Sequence, residues 1–394
     1  MTNTVVTERD FWGGPAPIVR RILRAFPVDD TIAFFRELGV ALHEEADGKL
    51  FPDSNRARDV LDALIRETAA SGAALLTSHR VTDVERTGDP PPPARDIRER
   101  RRGSPEPPEG GTFRIVMPHG DLHARAVVLA TGGQSLPKTG SDGGGFAIAR
   151  RLGHTLVPTT PALVPLLLDA DDAVHQPLSG VSHDVEIAVW IDGRVATRLT
   201  GAILWTHFGV SGPVALNASR HWMRTHVDRR SARLTMNFHP GQSFDDVDAR
   251  WNDRAREHPR ATVQTSLAQT LPASVAAAIA GRLGIDGGVP LAHFPREDRR
   301  RLVRALVEWP LPVTGTRGYN YAEVTAGGIA LDEIDPSTME SRVCPGLYLV
   351  GEILDVDGRI GGFNFQWAWS TAFVAGRALG GGPLARKRST AGAS

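Results

Sequence analysis

Cysteine is almost absent from this chain of 394 residues: Cys344 is the single thiol. That excludes an internal disulfide, a CxxC redox pair and a multi-cysteine zinc or iron–sulfur site. Lysine is scarce too, with Lys49, Lys138 and Lys387 the only ones among 45 basic residues, which reads as a compositional bias without functional weight. Charge of either sign is not in excess, since 45 acidic residues balance the 45 basic ones. The whole molecule therefore offers no field for nucleic acid or an anionic membrane, and such a partner would need a local patch. No stretch reaches the roughly 18 to 20 apolar residues of a membrane helix. Met1 to Asp10 lacks the basic start and apolar core of a signal peptide, so the expected location is cytoplasmic, with no membrane partner.

Several chemical signatures are missing as well. Gly143, Gly145 and Ile148 approach the dinucleotide fingerprint GxGxxG, but the third position is wrong and no strand precedes them. Gly380, Gly382 and Ala385 fit the letters without a βα unit around them. There is no GxxxxGK phosphate loop. Gly209-Val210-Ser211-Gly212-Pro213 misses the nucleophile elbow of a serine hydrolase at its last position. His119 and His123 straddle a turn at Gly120, and no HExxH accompanies them, so no metal site is expected.

What is present falls into three parts. Residues 1–157 have an α/β rhythm. Ile32, Phe35 and Leu38 recur at helical spacing up to Gly39, and Val60, Leu61, Leu64 and Ile65 up to Gly72. A strand is expected at Ala73 to Thr77, running towards Val81, and others at Phe113 to Met117 and Ala124 to Ala130. Between them, residues 87–111 form a Pro/Arg-rich insertion with a local excess of three positive charges over Arg95 to Arg102. It carries no aromatic residues to stack bases, so nucleic acid is not the expected partner. Residues 158–319 read as an inserted domain. Short strands such as Val185 to Trp190, turning at Asp192-Gly193, suggest a β-barrel over 158–243, and helices fill 244–308. Residues 320–394 return to α/β, with a buried strand at Leu347 to Val350, a helix from Phe365 and a C-terminal tail.

Two loops carry the chemistry. Thr131-Gly132-Gly133 follows the strand ending at Ala130, where glycines let a ligand approach the backbone. In Gly351 to Trp367 a strand delivers Glu352, and a Gly361-Gly362 turn opens a helix whose amides can face negative charge. Such an arrangement suits a flavin ring and a ribityl hydroxyl, although glycine loops also have purely structural uses.

These segments resemble the YhiN/BaiN-type bacterial flavoproteins, described as NAD(P)/FAD-dependent oxidoreductases or aminoacetone-oxidase-like FAD-binding enzymes. Also similar are Leu50 to Ser54, Thr206 to Pro213, Glu323 to Gly328 and Glu333 to Ser341. The resemblance implies a glutathione-reductase-type FAD-binding domain interrupted by the inserted β-barrel and helical domain. It implies FAD, with NAD(P)H as a further candidate cofactor. Carried onto this sequence, Thr131, Gly132 and Gly133 lie near the ribityl and pyrophosphate. Glu352, Asp357, Gly361, Gly362, Phe363 and Asn364 lie near the flavin, and Val81 near adenine. Relatives open with a strand, a GxGxxG turn and an Arg-Cys-Asn-Val-Thr-Asn-like segment, whereas this sequence joins the pattern at Thr2-Asn3. The fold is therefore expected to be N-terminally truncated as written, and FAD retention to depend on the upstream part.

The activity implied is hydride transfer through flavin N5 to or from a small organic or steroid-like carbonyl or enone. His207, Tyr319 and Glu323 are the candidate proton donors or acceptors. The competing readings are a flavin-dependent RNA-modifying protein and a non-catalytic remnant. Neither the exact substrate nor the oligomeric state follows from the residues.

Overall fold

A computed structural model describes residues 1–88, 113–171 and 173–380 of the chain. Two compact units result: Met1–Thr159 together with Thr325–Ser394, and Thr160–Val324. The Arg95 to Arg102 run, most of the Pro/Arg insertion, Gly382 and Ala385 lie outside the described residues. Among the described residues no helix is long and apolar enough to cross a membrane.

The first, discontinuous unit is α/β. Its buried centre is a parallel pair, Val127–Leu129 against Leu347–Leu349, in register from Val127 opposite Leu347. Leu129, Leu347 and Leu349 are buried together with Ile148, Ile329, Ile353 and Trp367. Parallel pairing requires a long crossover, and here more than two hundred residues separate the partners. The helix Ala57–Ala70 ends where glycine stops it: Gly72 has φ +79° and its N–H returns to Ala69 O at 3.0 Å. Beyond that point the expected strand over Ala73 to Thr77 is absent. Leu75 and Leu76 are 62% and 52% exposed, and no neighbouring backbone forms a ladder with them among the described residues. Apolar character alone does not make a strand without a partner, and of these residues only Thr77 is β-branched.

The helix Phe363–Leu379 organises the other side of this unit. Gln366, 1% exposed, accepts from Thr2 Oγ1 at 2.7 Å and Thr31 Oγ1 at 3.0 Å, and donates to Phe26 O at 2.9 Å. One buried amide thus joins the N-terminal residues, two helices and the loop between them. Two tryptophans of this helix bond to backbone carbonyls. Trp367 is 1% exposed and gives its N–H to Gly351 O, while Trp369 donates to Met1 O.

The second unit is a seven-stranded antiparallel sheet with helices packed onto it. In order across the sheet the strands are Trp309–Leu311, Ala232–Asn237, Ser182–Ile191, Arg194–Thr206, Gly209–Ser211, Leu166–Leu168 and Val313–Thr316. The Asp192-Gly193 turn joins the two longest strands, with φ +49° and +79° at its centre, as a tight hairpin turn demands. The expected β-barrel is not closed. Its two outer strands, Trp309–Leu311 and Val313–Thr316, are consecutive in sequence but not hydrogen-bonded to each other. Pro310 and Pro312 have no N–H with which to build that last ladder. Trp205, Ile187, Val189, Leu234 and Met236 from the sheet share one core with Val214, Trp222, Trp251, Leu302 and Leu306 from the helices. Helix Phe244–Glu257 is started by a reciprocal cap between Ser243 and Asp246.

Two histidines of this unit are held neutral by their surroundings. Burial first, and Arg250 second, pull His239 down to about 4; burial and Arg220 pull His221 down to about 3. The unfolded chain takes up these protons near the ordinary histidine value of about 6.5. The folded unit resists them until far lower pH, so its stability falls as pH drops through that window. Urea denaturation followed by tryptophan fluorescence between about pH 7.5 and 4 is expected to show this loss, with His239→Gln flattening the slope.

Candidate functional site

The chain leaves the strand Val127–Leu129 and turns at once through Thr131-Gly132-Gly133. Gly132 is left-handed, φ +69°, a conformation that disfavours a side chain. Gly133 is enclosed: any Cβ there would collide with Thr325 Oγ1 and Glu352 Oε1. The reason is a small polar knot. Thr325 N–H donates to Glu352 Oε1 at 2.7 Å, and Gln134 N–H donates to Thr325 Oγ1 at 2.7 Å. Ser135 Oγ lies 3.2 Å from the same hydroxyl, and Thr159 Oγ1 donates to Gln134 Oε1 at 2.8 Å. The Gly133 N–H also points to the Glu352 carboxylate. Burial raises the Glu352 pKa above the usual glutamate value; hydrogen bonds from Thr325 and Gly133 oppose this, and Asp357 adds to it.

Next to the knot the helix Gly144–Arg151 begins, and its glycines are required by the loop. A Cβ on Gly145 would run into Thr131 Oγ1, and one on Gly143 into Gln134. Asp142 holds the first turn by accepting from Gly144 N–H at 3.0 Å and pairs with Arg80 at 2.5 Å, which holds its carboxyl below the usual range. Arg80, Val81, Val128, Thr131, Asp142 and Gly144 line one groove of about 480 Å³. Ser141 Oγ is buried beside Gly132 and has no hydrogen-bond partner among the described residues.

The structure thus brings Val81 and Thr131 onto one groove, and Gly132, Gly133 and Glu352 together at the knot. The residues from Asp357 to Asn364 are arranged differently. Asp357 is 1% exposed, in a strand paired with Phe11–Gly13. Gly361 and Gly362 have φ +120° and +98°, and a Cβ on Gly362 would strike the Thr2 carbonyl. Asn3 Nδ2 donates to Gly361 O at 3.2 Å. Phe363 is fully buried, edge-on to Phe11 at 6.3 Å. Asn364 uses both ends of its amide on Gly358, accepting from its N–H at 2.8 Å and donating to its carbonyl at 2.9 Å. Packing and backbone closure thus engage the side chains of Phe363 and Asn364.

His207, Tyr319 and Glu323 belong to the second unit. His207 is exposed at the turn before Gly209–Ser211, with its ring against Phe208 at 5.1 Å. The Arg317 guanidinium lies over the rings of Phe208 and Tyr321, 4.6 and 3.5 Å from their centres. Tyr319 and Tyr321 share one short turn, and Glu323 follows it. Glu323 keeps open surface, yet desolvation by the protein around its carboxyl raises its pKa. Thr325, Ser141, Arg80 and Arg317 were not identifiable as site residues from sequence. Thr325 carried the only signal, lying inside the Glu323 to Gly328 segment. Among the described residues no three His, Cys, Asp or Glu side chains gather as a metal site.

The profile of the HI0933-like protein Rossmann domain matches residues 1–378. The chain is 30% identical over 378 residues to the 3-dehydro-bile acid delta(4,6)-reductase of Clostridium scindens, spanning 96% of this chain and 86% of that protein. It is 31% identical over 381 residues to the ribosomal RNA dihydrouridine synthase of Escherichia coli, with the same two coverages. The enzyme of that name from Haemophilus influenzae is 29% identical over 377 residues, 95% of this chain and 85% of its own.

The knot makes a direct prediction. The Glu352 carboxyl binds its proton more tightly folded than unfolded, so its contribution to stability grows as pH falls toward the unfolded value and is lost as pH rises through the folded one. Glu352→Gln keeps an acceptor for the Thr325 N–H and should remove that pH dependence without unfolding the unit. Glu352→Ala strands two amides and should cost about 1–3 kcal/mol in denaturant titrations at neutral pH.

Proposed function

The chain belongs to the HI0933-like family of Rossmann flavoproteins, and on that footing we propose that it is an FAD-dependent reductase of carbon–carbon double bonds conjugated to a carbonyl. The observation that carries the substrate class is what two relatives share. A delta(4,6) reduction in a 3-oxo steroid acid and the formation of dihydrouridine both saturate a C=C bond next to a carbonyl. One adds hydride to the carbon β to the carbonyl and a proton to the α carbon. The steroid and the uracil ring differ in almost everything else.

The residues present fit a flavin nucleotide. The groove beside Val81 and Val128 has an apolar floor, with the charged pair Arg80 and Asp142 at its edge. The unpartnered Ser141 hydroxyl beside left-handed Gly132 supplies a buried polar contact for a ligand with hydroxyl or phosphate oxygens. Bound FAD supplies the hydride, taken in turn from a reduced nicotinamide. Gly132 and Gly133 give that ligand access to backbone, and Glu352 keeps the loop in the conformation that grants it. In our reading Glu323 delivers the proton destined for the α carbon, because desolvation raises its pKa and so its affinity for a proton. Tyr319 and His207 orient the substrate carbonyl.

Two measurements test this reading. The purified chain, incubated with FAD or with FMN and then desalted, should retain FAD, seen as flavin absorbance in the protein fraction; retention of neither flavin sinks the cofactor assignment. The loaded protein with NADPH or NADH should saturate a 3-oxo-4,6-diene steroid acid or the uracil ring of an RNA oligonucleotide. In Glu323→Gln the rate should drop about 10²–10⁴-fold while flavin retention is unchanged.

A further inference from the structure

Arg317 stands out in the second unit because its guanidinium lies over two rings, 4.6 Å from the centre of Phe208 and 3.5 Å from that of Tyr321. Contact with aromatic rings is favourable for a weakly hydrated planar cation, whose N–H donors form a fork in its own plane. Elsewhere in this unit arginines are commonly neutralised: Arg198 by Glu186, Arg230 by Asp192, Arg233 by Glu308 and Arg299 by Asp248. No carboxylate lies within ion-pair distance of Arg317 among the described residues. The rings around it are accessible. Tyr321 is 50% exposed, and His207 extends the cluster through its edge contact with Phe208. A cation held rigid by aromatic faces, without a counter-charge, is built to meet an anion that arrives beside a flat ring.

The backbone accounts for its position. Leu166–Leu168 pairs with Gly209–Ser211 on one side and with Val313–Thr316 on the other. The turn carrying His207 and Phe208 and the segment beginning at Arg317 therefore adjoin the two strands that flank Leu166–Leu168. Leu168 N–H donates to Phe208 O at 3.2 Å and Arg317 N–H to Pro165 O at 3.2 Å, tying both to the same central strand. The platform is thus mounted on paired strands, which favours precise positioning of a recognition group.

We propose that Arg317 is the anion-recognising residue of the substrate site, binding the carboxylate or phosphodiester of a substrate whose flat unsaturated ring lies against Tyr321 and His207. The inference rests on the conjugated-carbonyl reading above for the ring, and on the stacked guanidinium alone for the charge. A steroid acid and a nucleotide in RNA each join an unsaturated carbonyl to a negative charge. An arginine edge accepts either oxyanion through paired hydrogen bonds.

The test is equilibrium binding to the full chain by calorimetry, so that turnover is not required. Two ligand pairs are used: a 3-oxo-4-ene steroid acid with its methyl ester, and a short single-stranded oligouridylate with its uncharged methylphosphonate analogue. For the pair that supplies the natural anion, the charged member should bind the unaltered protein more tightly than the neutral one. Arg317→Met should weaken the charged member about tenfold to a hundredfold and leave the neutral one unchanged. Arg317→Lys, which keeps the charge without the planar fork, should fall between. The pair that responds identifies the source of the anion. Equal weakening of charged and neutral members, or no weakening in either pair, overturns the proposal. Charge-selective loss in a protein that reduces neither ligand would leave the role of Arg317 standing and remove the enone reading instead.

Discussion

The carboxylate of Glu352 is the constraint on which the discontinuous unit turns. It is taken largely out of water, at a cost that raises its pKa, and is compensated by two backbone N–H groups from segments far apart in sequence, Gly133 and Thr325. Those segments are not arbitrary. Thr159 and Thr325 are the residues at which the chain departs from this unit and comes back to it. Thr159 is bonded to Gln134 through its side chain, and Thr325 to Gln134 and Glu352. The glycine loop is thereby fastened to both crossing points by hydrogen bonds that only a glycine at 133 permits. A loop bare of side chains would ordinarily be the least defined part of a surface; here it is clamped from behind, leaving its outer edge available.

The same economy recurs at the helix Phe363–Leu379. The Gly361-Gly362 turn has the geometry of an anion-binding helix start, but its tight backbone also admits the N-terminal residues: Thr2 fills the space a Cβ at Gly362 would need, and Asn3 binds Gly361 O. Gln366, one turn later, then satisfies two threonine hydroxyls and a carbonyl in a place closed to water. Every polar group in that set has a partner, which makes the junction specific rather than merely apolar.

Much of this was legible before any coordinates. Helical spacing and the stopping glycine marked Ala57–Ala70, the Asp192-Gly193 pair marked the hairpin, and a carboxylate at the end of a buried strand marked Glu352. What escaped is what depends on contacts distant in sequence. Arg80 meets Asp142 across sixty-two residues, and Arg317 meets Phe208 across more than a hundred; no periodicity connects such pairs. The strand expected after Gly72 failed for the complementary reason. Its residues are apolar, but strands are made by neighbours, and none pairs with Leu75 or Leu76 among the described residues. The contacts of Asn364 were equally out of reach: both halves of its amide bond to Gly358, six residues earlier.

Glu352 and Glu323 show how one physical cause yields two roles. Desolvation raises both pKa values. Around Glu352 it is opposed by amide donors that favour the charged form, so the group acts as an acceptor and fixes backbone. Around Glu323 no such donor contributes, and burial alone sets the direction, so the group gains affinity for a proton while keeping open surface through which to exchange it. The two carboxyls thus differ in what surrounds them, amide donors opposing desolvation at Glu352 and desolvation acting alone at Glu323. Exchanging their surroundings would defeat both: a partnered Glu323 would not release a proton on demand, and an unpartnered Glu352 would leave the Thr325 and Gly133 amides without an acceptor.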